Sequence, residues 1–130
     1  MSEHIVSLLA LLLLLQVKHM FADFFLQTPR MLSGRSIYLH LGRAQHATVH
    51  LIGTAAVFLL LSSPVLFAIM ICVLEWIAHF HIDFAKARYN ECKSLKPNQA
   101  HYWWAMGTDQ ALHQATYLAM GWAWCAFVLV

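Results

Sequence analysis

Four short patterns in this chain carry groups able to ligate a metal or move a proton. His19, Asp23 and Gln27 recur at every fourth residue. His46 and His50 do the same, as do His79 and Asp83, with Glu75 one turn before them and Lys86 three residues after. Asp109 and His113 complete the series, with Gln110 beside them. A spacing of four puts each set on one face of a helix. His81, two residues from His79, points to the other side of the same helix.

Neutral imidazole and carboxylate suit zinc, iron or manganese. A few such donors with a free coordination position activate a bound water. The donor supply is His19, Asp23, His46, His50, His79, Asp83, Asp109 and His113, more than one four-coordinate site needs. The surplus can orient the ligands or hold a second metal. Two other readings use the same residues. Asp/His chains inside membranes serve as proton relays, and polar side chains also tie membrane helices together without any ligand.

The elements that must position these groups are apolar. The chain has 130 residues, 61% of them hydrophobic and 11% charged, with mean hydropathy +0.61. Soluble domains carry about 25% charged residues, and a domain this small cannot bury so much apolar surface. Long apolar runs without alternation predict helices rather than strands. The expected fold is all-α: an integral membrane four-helix bundle, up-down-up-down. It forms one domain over 1–130, with helices at about 4–28, 44–62, 64–90 and 103–130. Each is long enough to span a bilayer. Ser62, Ser63 and Pro64 break the second from the third.

No basic region precedes the first apolar run and no small-residue cleavage site follows it, so it reads as an uncleaved helix. Cys72, Cys92 and Cys125 lack metal-type spacing. Seven of the eight Lys and Arg lie in or beside the segments joining helices 1 to 2 and 3 to 4. The positive-inside rule puts both segments in the cytoplasm. The expected topology is therefore multi-pass, with both termini on the outer side of the membrane. Tyr102, Trp103 and Trp104 fit an interfacial belt.

Counting from the outer ends, all four polar patterns fall about 20–30 Å in, at 1.5 Å per residue. They converge on one layer in the inner third of the membrane. Lys86, on the His79 face, is expected to pair with Asp83, to reach an anionic group of a substrate, or to snorkel to the headgroups. Glu75 reads as a general base or a protonated core residue.

Three stretches carry a resemblance: HMFADFFLQT (19–28), EWIAHFHIDFAKAR (75–88) and TDQALHQ (108–114). The chain resembles a family of small bacterial and phage inner-membrane proteins, the domain of unknown function numbered 3307. The matching positions are His19, Asp23, Gln27, His46, His79 or His81, Asp83, Lys86, Asp109, Gln110 and His113. The family's lysine after the Gln-Thr pair is absent, and Arg35 stands nearest its place. Arginine does not deprotonate, so it replaces a catalytic lysine poorly. The resemblance implies no activity. Its layout is similar to that of membrane-bound metal-dependent hydrolases.

The functional expectation is an intramembrane His/Asp site near the cytoplasmic face, holding a divalent metal, zinc first. The reaction expected is hydrolysis of a phosphate- or ester-containing membrane substrate. Asp83, Asp109 or Glu75 would act as base, and Lys86, Arg35, Gln27 and Gln110 would bind substrate. The alternative is a non-enzymatic membrane protein that uses the cluster as a relay or a structural network. Membrane lipids are the expected partners, with a homo-oligomer left open. A net charge of +2 gives no support for nucleic acid.

Overall fold

The computed structural model describes residues 3–129. Val130, the expected end of the last helix, lies outside them. Among the described residues there are five helices and no strand: α1 (Glu3–Phe24), α2 (Pro29–Ser33), α3 (Leu41–Leu60), α4 (Val65–Cys92) and α5 (Ala100–Phe127).

The four long helices close into a ring: α1 packs on α3, α3 on α4, α4 on α5, and α5 back on α1. The short α2 lies against α3. It is an element that hydrophobic periodicity does not reveal, because it has only five residues. Its start follows a local signal. Pro29 takes the first helical position, where a missing N–H costs nothing. The Thr28 hydroxyl caps the turn by accepting from Met31 N at 3.3 Å. α1 accordingly stops at Phe24, short of the expected residue 28.

Close approaches set the packing. A Cβ on Gly42 would meet the Arg30 carbonyl oxygen at 2.1 Å, so only glycine lets α2 sit on α3. A Cβ on Gly53 would lie 2.4 Å from Lys18 Cγ, so glycine also makes room for the lysine stem. At the other end Ser62, at φ 51°, turns the chain between α3 and α4. Trp124 donates its indole N–H to Ser63 Oγ at 2.8 Å and ties that turn to α5.

The interior has two halves. Toward the Ser62–Pro64 turn it is apolar, built from Leu11, Leu15, Val57, Phe58, Met120 and Trp124. Toward the α2 end it is polar, with His19, Arg43, His46, His50, Glu75, His79, Asp109 and His113 all buried. The outside reverses this: Leu13, Leu59, Leu66, Leu74, Leu118 and Trp122 are all more than half exposed. α1 and α4 are long and apolar enough to cross a membrane. α3 and α5 are about as long, and the polar residues they contribute to the interior lower their hydropathy.

Candidate functional site

Five imidazoles meet in the polar half. α1 gives His19, α3 gives His46 and His50, α4 gives His79 and α5 gives His113. Their rings pack closely, with centroids 3.7 Å apart for His50 and His79 and 4.3 Å for His79 and His113. His19 lies 5.2 Å from His50 and 5.1 Å from His113.

Two carboxylates stand among these rings with no Lys or Arg in ion-pair reach. Asp23 meets His19 Nε2 at 3.1 Å, His46 Nε2 at 3.2 Å and His50 Nε2 at 2.9 Å. Asp83 meets His46 Nε2 at 3.4 Å, His79 Nε2 at 3.3 Å and His113 Nε2 at 3.2 Å. His46 therefore touches both. His79 Nε2 and Asp109 Oδ1 are fully buried and make no hydrogen bond. Two groups of side chains have donor atoms close enough together to share an ion: Asp23, His46, His50 and His79, and then His79, Asp83 and His113.

The other interior carboxylates are neutralised. Lys18 Nζ donates to Glu75 Oε1 at 2.6 Å and to Tyr117 OH at 3.0 Å, and lies 3.3 Å from His50 Nδ1. Tyr117 OH is in turn 2.9 Å from His19 Nδ1. This network fixes the far sides of two rings, the position from which such partners orient a ligand. Lys86 Nζ donates to Asp109 Oδ2 at 2.9 Å, and Gln110 Nε2 reaches the same oxygen at 3.1 Å.

These contacts correct two expectations and bring in three further residues. Lys86 pairs with Asp109 across to α5 rather than with Asp83 on its own helix. Glu75 is the partner of an ammonium, so it is neither a lone protonated core acid nor a free base. Lys18, Tyr117 and Arg43, which the spacing argument left out, are built into the same interior. His79 is buried with the cluster. His81 faces outward, 3.0 Å from Tyr38 OH.

Arg43 closes the inner end. Its guanidinium donates to the Tyr38 carbonyl at 2.5 Å, the Ile37 carbonyl at 3.3 Å and the Phe80 carbonyl at 2.6 Å. It also stacks 3.8 Å from the Phe80 ring centroid. The loop before α3 is thereby clamped to α4. Arg35 donates to Gln27 Oε1 at 2.5 Å. With Met31 and Arg43 it lines a small pocket that has His46 and Asp83 in its wall. A larger cleft of about 410 Å³ opens between α4 and α5, with Lys86 and Asp109 in a mostly apolar wall that includes Trp104, Tyr89 and Leu112.

The fold and site together define a small helical bundle that is apolar outside and has a His/Asp cluster inside. The family described as "Protein of unknown function (DUF3307)" matches residues 8–128, and the chain belongs to that family. No match was found among curated proteins or among solved structures.

Proposed function

We propose that this protein is an integral membrane metalloprotein whose four long helices all cross the bilayer, and that it is a metal-dependent hydrolase. One observation carries the reading. Asp23 and Asp83 are each surrounded by three imidazoles, while the buried ammonium groups are spent on Glu75 and Asp109. Four interior carboxylates face three fixed cations, Lys18, Arg43 and Lys86. That leaves one fixed negative charge in excess, on carboxylates that only imidazoles face, and a divalent cation is suited to that place. Isolated charge in a low-dielectric interior is costly, and His/Asp donors suit zinc.

Membrane insertion is supported by the inverted surface, since large apolar side chains cover the outside and polar ones fill the interior. The basic residues around α2 and the α4–α5 link favour that end as cytoplasmic, with both termini periplasmic. A divalent ion held by the His/Asp donors would supply an activated water for hydrolysis of a phosphate or ester group of a membrane amphiphile. Asp83 would ligate or take the proton. The α4–α5 cleft suits the apolar portion of such a molecule, with Lys86 at its polar wall. Arg35, Gln27 and Gln110 are placed to hold anionic or polar groups near the inner face.

The apolar half of the interior speaks against a relay across the whole bilayer. The chain from Glu75 through Lys18 and Tyr117 to His19 abuts Leu11, Leu15, Phe58 and Met120, which offer no ionisable group.

The test is elemental analysis of the purified full-length protein, followed by hydrolysis assays on phosphate-ester and carboxylic-ester lipid probes. At least one metal per chain is expected, with less of it retained in His79→Ala and Asp109→Ala. Metal-free protein whose stability is unchanged by both substitutions overturns the proposal.

A further inference from the structure

The proposed metal reading leaves the number of ions open, and the donors fall into two sets that follow the chain. The first helical hairpin, α1 with α3, supplies Asp23, His46 and His50. The second, α4 with α5, supplies His79, Asp83 and His113. Each hairpin opens with the same pattern, His-x-x-x-Asp: His19 and Asp23 on α1, His79 and Asp83 on α4. Each closes with an i, i+4 pair on its second helix, His46 and His50 or Asp109 and His113. The two hairpins thus present comparable donors from opposite sides of one cavity.

We infer that the cluster holds two divalent cations, one per hairpin: the first on Asp23, His46 and His50, the second on His79, Asp83 and His113. This rests on the metal reading above. A single four-coordinate ion would use half of the eight donors. It would leave either Asp23 or Asp83, each half-buried among imidazoles, with no cation.

Three features of the geometry support two sites. Asp23 Oδ1 is within 3.2 Å of both α3 imidazoles. Asp83 is within 3.3 Å of both His79 and His113. Finally, the buried Nε2 of His79 has no hydrogen-bond partner. Each set keeps one further donor at its edge. His19 Nε2 lies 3.1 Å from Asp23, and Asp109 Oδ1 lies 3.6 Å from His113 Nε2. The sets adjoin where His46 Nε2 comes 3.4 Å from Asp83 Oδ2. Two ions so placed are close enough for their electron spins to couple.

The experiment loads the full-length chain, in lipid nanodiscs, with saturating Mn2+ and measures bound metal per chain together with the paramagnetic resonance spectrum. Two Mn2+ per chain and a spin-coupled signal are expected. Asp23→Asn and Asp83→Asn should each keep one ion and show the simple six-line signal of an isolated Mn2+. His50→Gln and His113→Gln serve as a second pair should either aspartate variant fold poorly. One ion per chain in the unaltered protein, with an uncoupled spectrum, overturns the second site and leaves the metal reading standing. No bound Mn2+, and no bound Zn2+ when that ion is loaded instead, overturns both.

Discussion

Lys18 Nζ and Glu75 Oε1 lie 2.6 Å apart between α1 and α4, with both side chains almost fully buried. The pair sits beside the imidazole cluster and joins two helices whose backbones do not pack directly on each other. Removing one member strands the other charge. Lys18→Met or Glu75→Gln is expected to cost about 3–5 kcal/mol. The double variant Lys18→Met/Glu75→Met should recover much of that loss, because apolar replacements of buried pairs are often neutral or better. Thermal unfolding in detergent reads both effects, and additive single losses in the double variant would contradict the pairing.

The two histidines of the His-Phe-His sequence differ in burial, and so should their effects. His79→Ala is expected to lower metal retention, losing the ion assigned to His79, Asp83 and His113. His81→Ala, which removes contacts with Tyr38 and the Ile77 carbonyl on the outward face, should leave metal content unchanged. Metal analysis of the two variants side by side decides the register.

Arg43 makes three carbonyl contacts and an aromatic stack that lysine cannot copy. Arg43→Lys retains the charge and still loses the fork. A loss of roughly 2–3 kcal/mol is expected, in the range of charged hydrogen bonds, along with faster proteolysis between α2 and α3. Unchanged proteolysis would show that the clamp does not hold the loop.

Gly53 leaves room for the Lys18 stem. Gly53→Leu should displace that stem, weaken the contact with Glu75 and destabilise the bundle by about 1–3 kcal/mol. In a Lys18→Ala background the same substitution should be much milder, and a double-mutant cycle on thermal stability measures the coupling.

Cys92 is the one exposed cysteine, near the start of the α4–α5 link. The proposed orientation places it in the cytoplasm. A membrane-impermeant maleimide should label it in inverted vesicles and fail to do so in right-side-out cells. The opposite pattern reverses the topology.

The layer of donors was legible in the sequence because spacing by four is a strong geometric statement. His19 and Asp23, His46 and His50, His79 and Asp83, and Asp109 and His113 each had one possible face. Equal depth along antiparallel helices then brought the faces together. Lys18 was not legible in this way. It precedes His19 by one residue, and its place in the interior depends on the gap left by Gly53 and on Glu75, far along the chain. Tyr117 reads as an ordinary aromatic of an apolar helix until its hydroxyl is seen against His19. Arg43 reads as one of several loop cations, and only the fold of that loop turns its guanidinium inward. The Lys86 assignment failed for a related reason: a long side chain at i+3 reaches past its own helix to the next. The Thr28–Pro29 signal for α2 was present, but five residues are too few to show periodicity.

The packed leucines, Phe58 and Trp124 at the Ser62–Pro64 end give the molecule a consequence that reaches beyond stability. A bundle greased shut at one mouth and wet near the other is a blind cup, not a tube. In the proposed bilayer setting, whatever arrives at the imidazoles would leave by the side through which it came, so chemistry there would be confined to a single face and would dissipate no gradient.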